Sequence, residues 1–198
     1  SNNRHHLGRS QPPFLSSMVR LIYEKEQDKT WLTNAYGLLV EEYYTVWLSD
    51  KHPHNRKVDQ LLSRYYHQNQ EHSGAEDESG WDKNTRFEDR ALDFLPVDLN
   101  SLLYKYEIDF VYFSRELNNS EESSWLDKAA LRKQRINELM WNESDGLFYD
   151  YDFVNKRQSG VKSLASYVPI FVGLVDENQA ARLQSNLGLF ETEFGLTT

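Results

Sequence analysis

The sequence contains no cysteine, and this absence rules out three kinds of chemistry. Disulfide bonds, thiolate metal sites and a cysteine nucleophile all require that residue. The cellular compartment stays open, because a chain without cysteine is compatible with both oxidising and reducing surroundings. We expect no metal site of another kind and no cofactor. The six histidines lack the helical spacing of zinc ligands, and segment 142–146 lacks the alternating ligands of a calcium loop.

Long apolar runs and clusters of basic residues are also missing. No apolar run approaches the roughly 20 residues that a helix needs to cross a bilayer, so no membrane partner is expected. Lys and Arg number 22 against 31 Asp and Glu, which gives a formal net charge of −9. Without a basic stripe to neutralise phosphates, no nucleic-acid partner is expected. An initiator methionine and a signal-like beginning are absent too, so we expect the chain to begin inside a longer natural sequence.

Apolar residues recur at helical spacing through most of the chain. One predicted helix opens at Pro12-Pro13 and carries an apolar stripe of Phe14, Leu15, Met18, Val19 and Ile22. Asp98 is predicted to be the N-cap of another. Further helices are predicted at 30–49, 98–117, 121–141, 164–175 with a kink at Pro169, and 177–187. Helix pairs of this kind can form a bundle, a solenoid or a closed toroid, and periodicity does not choose among them.

Two stretches do not follow the helical pattern. Residues 67–80 are polar and acidic with two glycines, which predicts a loop. After Asp145-Gly146, the alternation of Leu147, Tyr149 and Tyr151 predicts a short strand or hairpin. The same alternation places Asp150 and Asp152 together on one face, which we expect to be solvated.

The run Glu78-Ser79-Gly80-Trp81-Asp82 places a carboxylate beside an indole. An indole offers an apolar face to a sugar ring, and a carboxyl group of raised pKa can protonate a glycosidic oxygen. Taken alone, Asp82 is more simply read as a turn former or cap, and Trp81 as a core residue. Glu78 is a poor second carboxylate, because an inverting pair must lie roughly 6.5–9.5 Å apart across the sugar.

Three segments in sequence order carry a family resemblance: Leu7-Gly8-Arg9-Ser10-Gln11-Pro12-Pro13-Phe14, the Glu78–Asp82 run, and Pro96-Val97-Asp98-Leu99-Asn100-Ser101-Leu102. Together they resemble trehalases, which are inverting glycoside hydrolases with these motifs in this order. Weaker similarity continues to the end of the chain. The patterns Ser-Gln-Pro-Pro and Gly-Trp-Asp also look like those of related α-glucosidases and mannosylglycerate hydrolases.

The resemblance implies an all-α fold that is part of an (α/α)6 toroid, with a short hairpin or extended segments. Residues 1–198 would form a single, incomplete catalytic domain, and an incomplete toroid is expected to leave apolar helix faces uncovered. The implied reaction is hydrolysis of α,α-trehalose, a small sugar, to glucose. Asp82 would be the general acid, Arg9 and Gln11 would bind sugar hydroxyls, and Asn3 would match an asparagine that precedes this motif in the family. Trp81 is the candidate for stacking on the sugar.

Three departures from the family pattern affect these expectations. His5 and His6 stand where the family usually has two tyrosines. Between Tyr66 and Glu78 the chain is short and lacks the family's Arg-Pro-Glu-Ser segment, which contributes an arginine to the sugar site, so strict trehalose specificity stays open. Nothing matches the family's glutamate base, which we expect to lie outside this chain. The alternatives are a related glucosidase or mannosylglycerate hydrolase, or a non-catalytic, carbohydrate-binding helical domain.

Overall fold

The computed structural model describes residues 8–197, so Asn3, His5 and His6 lie outside the described part. Helices dominate it, as predicted. The α-helices are α1 (Leu15–Glu26), α2 (Lys29–Glu42), α3 (His72–Glu78), α4 (Val97–Leu117), α5 (Glu122–Met140), α6 (Val168–Phe171) and α7 (Glu177–Asn186). The strands are β1 (Phe94–Leu95), β2 (Trp141–Asn142), β3 (Leu147–Phe148), β4 (Tyr151–Asp152), β5 (Arg157–Gln158), β6 (Glu191–Thr192) and β7 (Gly195–Leu196). No helix within these residues combines the length and apolarity that a membrane crossing requires.

The central element is α4, which is buried on most of its surface. Helices α1 and α2 pack on each other and on α4, and α5 packs along α4. Residues of α1, α2 and α4 contribute to a core rich in aromatic rings, among them Tyr23, Tyr36, Tyr43, Phe110 and Trp125. A second core lies between α4, α5, the hairpins and α7. The β2–β3 hairpin confirms the turn predicted at Asp145-Gly146.

Local signals account for several helix ends. Asp28 is the N-cap of α2 and accepts hydrogen bonds from the backbone N–H groups of Thr30 and Trp31, so it separates α2 from α1. Helix α2 then continues as a π-helical turn, Tyr43–Trp47, close to the predicted end at residue 49. Asp176 and Gln179 form a reciprocal capping box at the start of α7.

Three local predictions are wrong. Residues 72–78 form α3 instead of part of a loop, because two of its carboxylates, Glu76 and Glu78, are buried and accept hydrogen bonds from the backbone of other segments. Pro96 occupies the N-cap position of α4, and Asp98 is buried in the first turn. Pro169 does not kink a helix. It lies in the first turn of α6, after a 3-10 turn at Leu164–Tyr167.

The expectation of a solvated pair at Asp150 and Asp152 is also wrong. Both carboxylates are buried: Asp152 lies in β4, the middle strand between β1 and β5, and Asp150 precedes that strand. Arginine side chains neutralise them: Arg86 bonds Asp150, and Arg90 bonds Asp152. A period-2 pattern with polar residues on one face normally indicates that this face is exposed to solvent. Here the carboxylates on that face form ion pairs with arginines instead.

Helix α1 turns most of its predicted apolar stripe outward, and of that stripe only Val19 is buried. Its buried residues are Ser16, Val19 and Tyr23. The exposed apolar side chains at and beside the helix are Phe14, Leu15, Met18, Leu21 and Ile22, each between 45% and 68% exposed. Within the described residues, an apolar face of this helix is therefore uncovered.

Candidate active site

The first two motif segments, 68 positions apart, are in direct contact. The backbone N–H of Ser10 donates to Oε1 of Glu78 at 2.5 Å. Nη1 of Arg9 donates to Oδ2 of Asp77, also at 2.5 Å. A Cβ on Gly80 would lie 3.6 Å from Cγ of Pro12, so the proline ring packs against the glycine backbone. The Arg-Ser-Gln-Pro-Pro segment is thus held against the end of α3.

Glu78 is the buried anchor of this contact. Its carboxylate is fully buried and also accepts hydrogen bonds from Nε of Arg56 at 3.1 Å and from the backbone N–H of Tyr66 at 2.8 Å. Arg56 is buried with it, so the two form an internal ion pair. A carboxylate with this many donors is structural, which agrees with the prediction that Glu78 is not the second catalytic carboxylate.

In the turn after α3, the side chains of Trp81 and Asp82 differ in exposure. Gly80 and Asp82 both have left-handed backbones, with φ of 74° and 56°, and they flank Trp81. Glycine adopts this conformation without strain, and aspartate is among the side chains that tolerate it best. The Asn84 side chain donates to the Asp82 carbonyl at 3.1 Å and closes the turn. The indole is consequently half-buried, whereas the Asp82 side chain is exposed, with no hydrogen bond from the part of the chain that the structure describes.

A network of buried side chains holds the indole of Trp81 in this turn. Nε1–H of Trp81 donates to Oδ2 of Asp98 at 2.8 Å. The same oxygen accepts from the Tyr65 hydroxyl at 3.1 Å and from Nη1 of Arg86 at 3.0 Å. Nη2 of Arg86 reaches Oδ1 of Asp98 at 2.6 Å, and its Nε and Nη2 make a fork on Asp150 at 2.6 and 2.7 Å.

The guanidinium of Arg86 therefore pairs with two carboxylates, Asp98 and Asp150, and the pKa values of these two groups are shifted in opposite directions. Burial acts to raise the pKa of Asp98, but the attraction of Arg86 and the hydrogen bonds from Arg86 and Trp81 outweigh it, so this pKa lies below its ordinary value. For Asp150, burial prevails and raises the pKa despite Arg86. Burial also acts against the charge of Arg86, yet Asp150 and Asp98 hold its pKa above the ordinary value. Asp98 is thus the carboxylate held ionised beside the indole.

Two adjoining cavities lie beside these groups, of about 690 Å³ and about 510 Å³. Arg9 and Gln11 line the larger one, together with Glu42 and Tyr106. Trp81 and Asp98 line the smaller one. Pro12 and Phe14 line both cavities, so the two adjoin. Each volume falls within the range of small-molecule sites, roughly 300–1,000 Å³.

Three of the predicted site residues thus line the two adjoining cavities: Arg9 and Gln11 line the larger one, and Trp81 lines the smaller one. Asp82 lines neither cavity and follows Trp81 at the outer edge of the turn. Asn3 lies outside the described residues. Sequence reasoning missed Arg86 and the role of Asp98, although the Pro-Val-Asp motif was itself the signal for Asp98. Within residues 8–197 no cluster of His, Asp or Glu is arranged to hold a metal ion.

Comparison with known proteins gives consistent matches. A family model described as Trehalase matches residues 1–77 and 69–197. The cytosolic neutral trehalase of Beauveria bassiana is 30% identical, with 96% of this chain and 35% of the relative covered. That of Kluyveromyces lactis is 28% identical, with 98% and 34% covered. The solved neutral trehalase Nth1 from Saccharomyces cerevisiae superposes with a TM-score of 0.84 at 26% identity, over 97% of this chain and 46% of that one.

A mannosylglycerate hydrolase from Thermus thermophilus, solved with glucose, shares the fold with a TM-score of 0.70 at 17% identity, over 92% of this chain and 52% of that one. The prediction of an all-α chain forming part of an (α/α)6 toroid is confirmed. The chain spans about a third of the length of the curated relatives that it matches. The alignment with the Beauveria protein runs over 260 positions, more than this chain has residues, so the relative carries additional residues within the matched region.

Proposed function

Because this chain belongs to the trehalase family, we propose that it forms part of an inverting α-glycosidase that hydrolyses α,α-trehalose to glucose. The observation that carries the proposal is the pair of adjoining cavities at the junction of the family motifs. The Arg-Ser-Gln-Pro-Pro segment forms one wall, the turn after α3 another, and the first turn of α4 a third. Polar groups converge there on apolar and aromatic surface, as a sugar site requires.

Asp82 is the proposed general acid. The neighbouring carboxylates are already engaged: Glu78 with Arg56, Asp77 with Arg9, and Asp98 with Arg86. Asp82 is exposed next to the cavity-lining Trp81, and its carboxyl group takes part in none of these ion pairs. In an inverting reaction, the acid protonates the leaving oxygen while a base on the opposite face activates water. We place that base outside this chain.

Arg9 and Gln11 are the proposed ligands of sugar hydroxyls. A guanidinium has five N–H donors in a fixed fork, and the Arg9 side chain is oriented by its ion pair with Asp77. Gln11 is two residues further along the same cavity wall and presents an exposed amide, which both donates and accepts. We assign Asn3 to the same hydroxyl-binding role from the family resemblance alone. Trp81 would supply the apolar face for the sugar ring.

The short segment between Tyr66 and Glu78 favours a second candidate, a related glucosidase or mannosylglycerate hydrolase. The family match breaks at residues 69–77, within this segment. The Arg-Pro-Glu-Ser segment that would contribute an arginine is absent there. A site without that arginine has fewer fixed donors for the second sugar ring, so another leaving group becomes acceptable.

The test is a product assay on the natural full-length polypeptide that carries this chain. Proton NMR during the first minutes of trehalose hydrolysis should show α- and β-glucose in equal amounts, because inversion changes the anomer of only one of the two glucoses. Formation of α-glucose alone would indicate retention and contradict the inverting assignment. Hydrolysis of mannosylglycerate, or of an α-glucoside other than trehalose, in preference to trehalose would support the second candidate. Sugar binding by calorimetry without any hydrolysis would indicate the non-catalytic alternative.

A further inference from the structure

The indole of Trp81 has a single polar group, its Nε1–H, and that group is committed to Asp98 at 2.8 Å. The ring is half-buried and lines the smaller cavity. The apolar part of the ring packs against the second core, and the Arg86 guanidinium lies 5.9 Å from the ring centroid. The packing holds the apolar face of the ring, and the bond to Asp98 fixes its polar edge to the first turn of α4.

Asp98 has little capacity for anything else. Its Oδ2 accepts from Trp81, Tyr65 and Arg86, and its Oδ1 accepts from Arg86. The residue is 3% exposed although it lines the cavity. A carboxylate oxygen with three donors is not available to a sugar hydroxyl as well. Its contribution to the site must therefore act through the groups that it holds.

Asp98 is held in place by a network of buried ion pairs. Asp98 lies in the first turn of α4, and Arg86 connects it to Asp150. Asp150 in turn accepts a hydrogen bond from the backbone N–H of Val97, the first residue of α4, at 2.8 Å. The network thus joins the turn after α3, the start of α4 and the segment before β4. Buried ion networks are destabilised strongly when one member is removed, so each member keeps the others in place.

We propose that Asp98 is a positioning residue: its carboxylate holds the Trp81 indole against the sugar cavity and thereby orients the adjacent Asp82. The catalytic part of this inference rests on the proposed hydrolase function. The structural part, that Asp98 sets the position of the Trp81 ring, does not depend on that function. It concerns only whether Asp98, and not merely general packing, sets the position of the ring.

Asp98→Asn is the first test, with Asp152→Asn as the matched control. Asp152 is also a buried aspartate paired with an arginine, Arg90 at 2.8 Å, and it makes no hydrogen bond to Trp81. The readout is the indole Nε1–H signal of Trp81 in a ¹⁵N–¹H spectrum, assigned by its loss in Trp81→Phe. In Asp98→Asn the signal should move upfield and its hydrogen should exchange faster, because a neutral amide oxygen is a weaker acceptor. In Asp152→Asn the signal should stay in place.

Activity is measured in the same variants. Asp98→Asn should lower kcat/KM by about 10²-fold, the typical effect of a displacement of about 1 Å at a reacting group. Asp152→Asn should remain within twofold of the parent protein. If the parent does not hydrolyse any sugar, the proposed function fails, and the indole signal still decides the positioning role. An unmoved Trp81 signal in Asp98→Asn, or equal effects in both variants, would overturn the inference.

A second replacement covers the case in which Asp98→Asn does not fold. Benzothienylalanine at position 81 keeps the shape of the indole ring but has sulfur in place of the N–H group. It removes only the bond to Asp98 and leaves the ion network intact. We expect kcat/KM to fall about tenfold or more, with a smaller loss of stability than Asp98→Asn causes, because the ion pairs of Arg86 remain. An unchanged kcat/KM would show that the bond does not position the ring for catalysis.

Discussion

The backbone N–H of Ser10 lies 2.5 Å from Oε1 of Glu78, and the same carboxylate neutralises the buried guanidinium of Arg56. Together with the Arg9–Asp77 ion pair and the packing of Pro12 on Gly80, this contact holds the Arg-Ser-Gln-Pro-Pro segment at the end of α3, where Trp81 and Asp82 follow. The relative placement of the sugar-binding and proton-donating candidates therefore depends on a group that takes no part in either task.

Glu78→Gln should destabilise the fold by roughly 3–5 kcal/mol, because it leaves the Arg56 charge buried without a counter-ion. The measurement is urea unfolding followed by circular dichroism. Asp77→Asn is the control: its side chain is 41% exposed and its ion pair with Arg9 is accessible to solvent, so a loss of at most about 1 kcal/mol is expected. Equal losses in the two variants would contradict the anchoring role of Glu78.

Asp82→Asn should reduce hydrolysis by about 10²–10⁴-fold in the natural full-length polypeptide, since an amide cannot donate the proton that the leaving oxygen needs. Stability should not change, because asparagine tolerates the left-handed backbone as well as aspartate does. Asp89→Asn is a close control, since Asp89 is also exposed and has a φ of 57°. Steady-state kinetics decides the matter, and activity of Asp82→Asn within twofold of the parent would exclude Asp82 as the acid.

Arg9→Lys should lower kcat/KM about tenfold or more, because a point charge cannot replace a planar fork that contacts two hydroxyls. The fold should remain intact by circular dichroism. Two controls separate sugar binding from ion pairing. Arg115→Lys changes an exposed arginine that pairs with Glu122, and it should have no kinetic effect. If Asp77→Asn impaired activity as much as Arg9→Lys, the ion pair alone would explain the effect of Arg9.

Asp152 should contribute a pH-dependent part of the stability. Burial acts to raise its pKa, but hydrogen bonds from Asn155 and Arg90 prevail and lower the pKa to about 2. Because this folded-state pKa lies below the unfolded value, the contribution is fully present above about pH 4 and is lost as the pH falls through about 2. It amounts to about 2 kcal/mol. Urea unfolding between pH 5 and pH 2 should therefore show a smaller acid dependence in Asp152→Asn than in the parent, and identical slopes would refute this.

The uncovered face of α1 should cause self-association of the 198-residue chain in isolation. Leu21, which is 68% exposed, is the best position to test this. Leu21→Lys should reduce association in sedimentation experiments and change the free energy of unfolding by no more than about 0.5 kcal/mol. Val154→Lys, at a 57% exposed position in the turn between β4 and β5, should leave association unchanged. A monodisperse parent chain at high concentration would contradict the prediction.

Helical periodicity was sufficient to predict α2, α4 and α5 to within a few residues, because each buries a regular apolar face. It failed for α3, whose buried residues include Glu76 and Glu78. Those carboxylates are satisfied by the backbone of Asn84 and by Ser10, Arg56 and Tyr66. No local sequence pattern predicts hydrogen-bond partners that lie up to 68 positions away.

The sequence by itself determined the helical class, the family and the segments that form the candidate site, because apolar spacing and short motifs are local properties of the chain. The tertiary structure alone decided which side of α1 is exposed, that Asp150 and Asp152 are buried, and that Asp98 holds Trp81 instead of capping α4. Each of these outcomes depends on a charge or a surface meeting its partner from a distant segment. Such pairing is a property of the packed chain, since a buried carboxylate is stable only where an arginine from elsewhere reaches it.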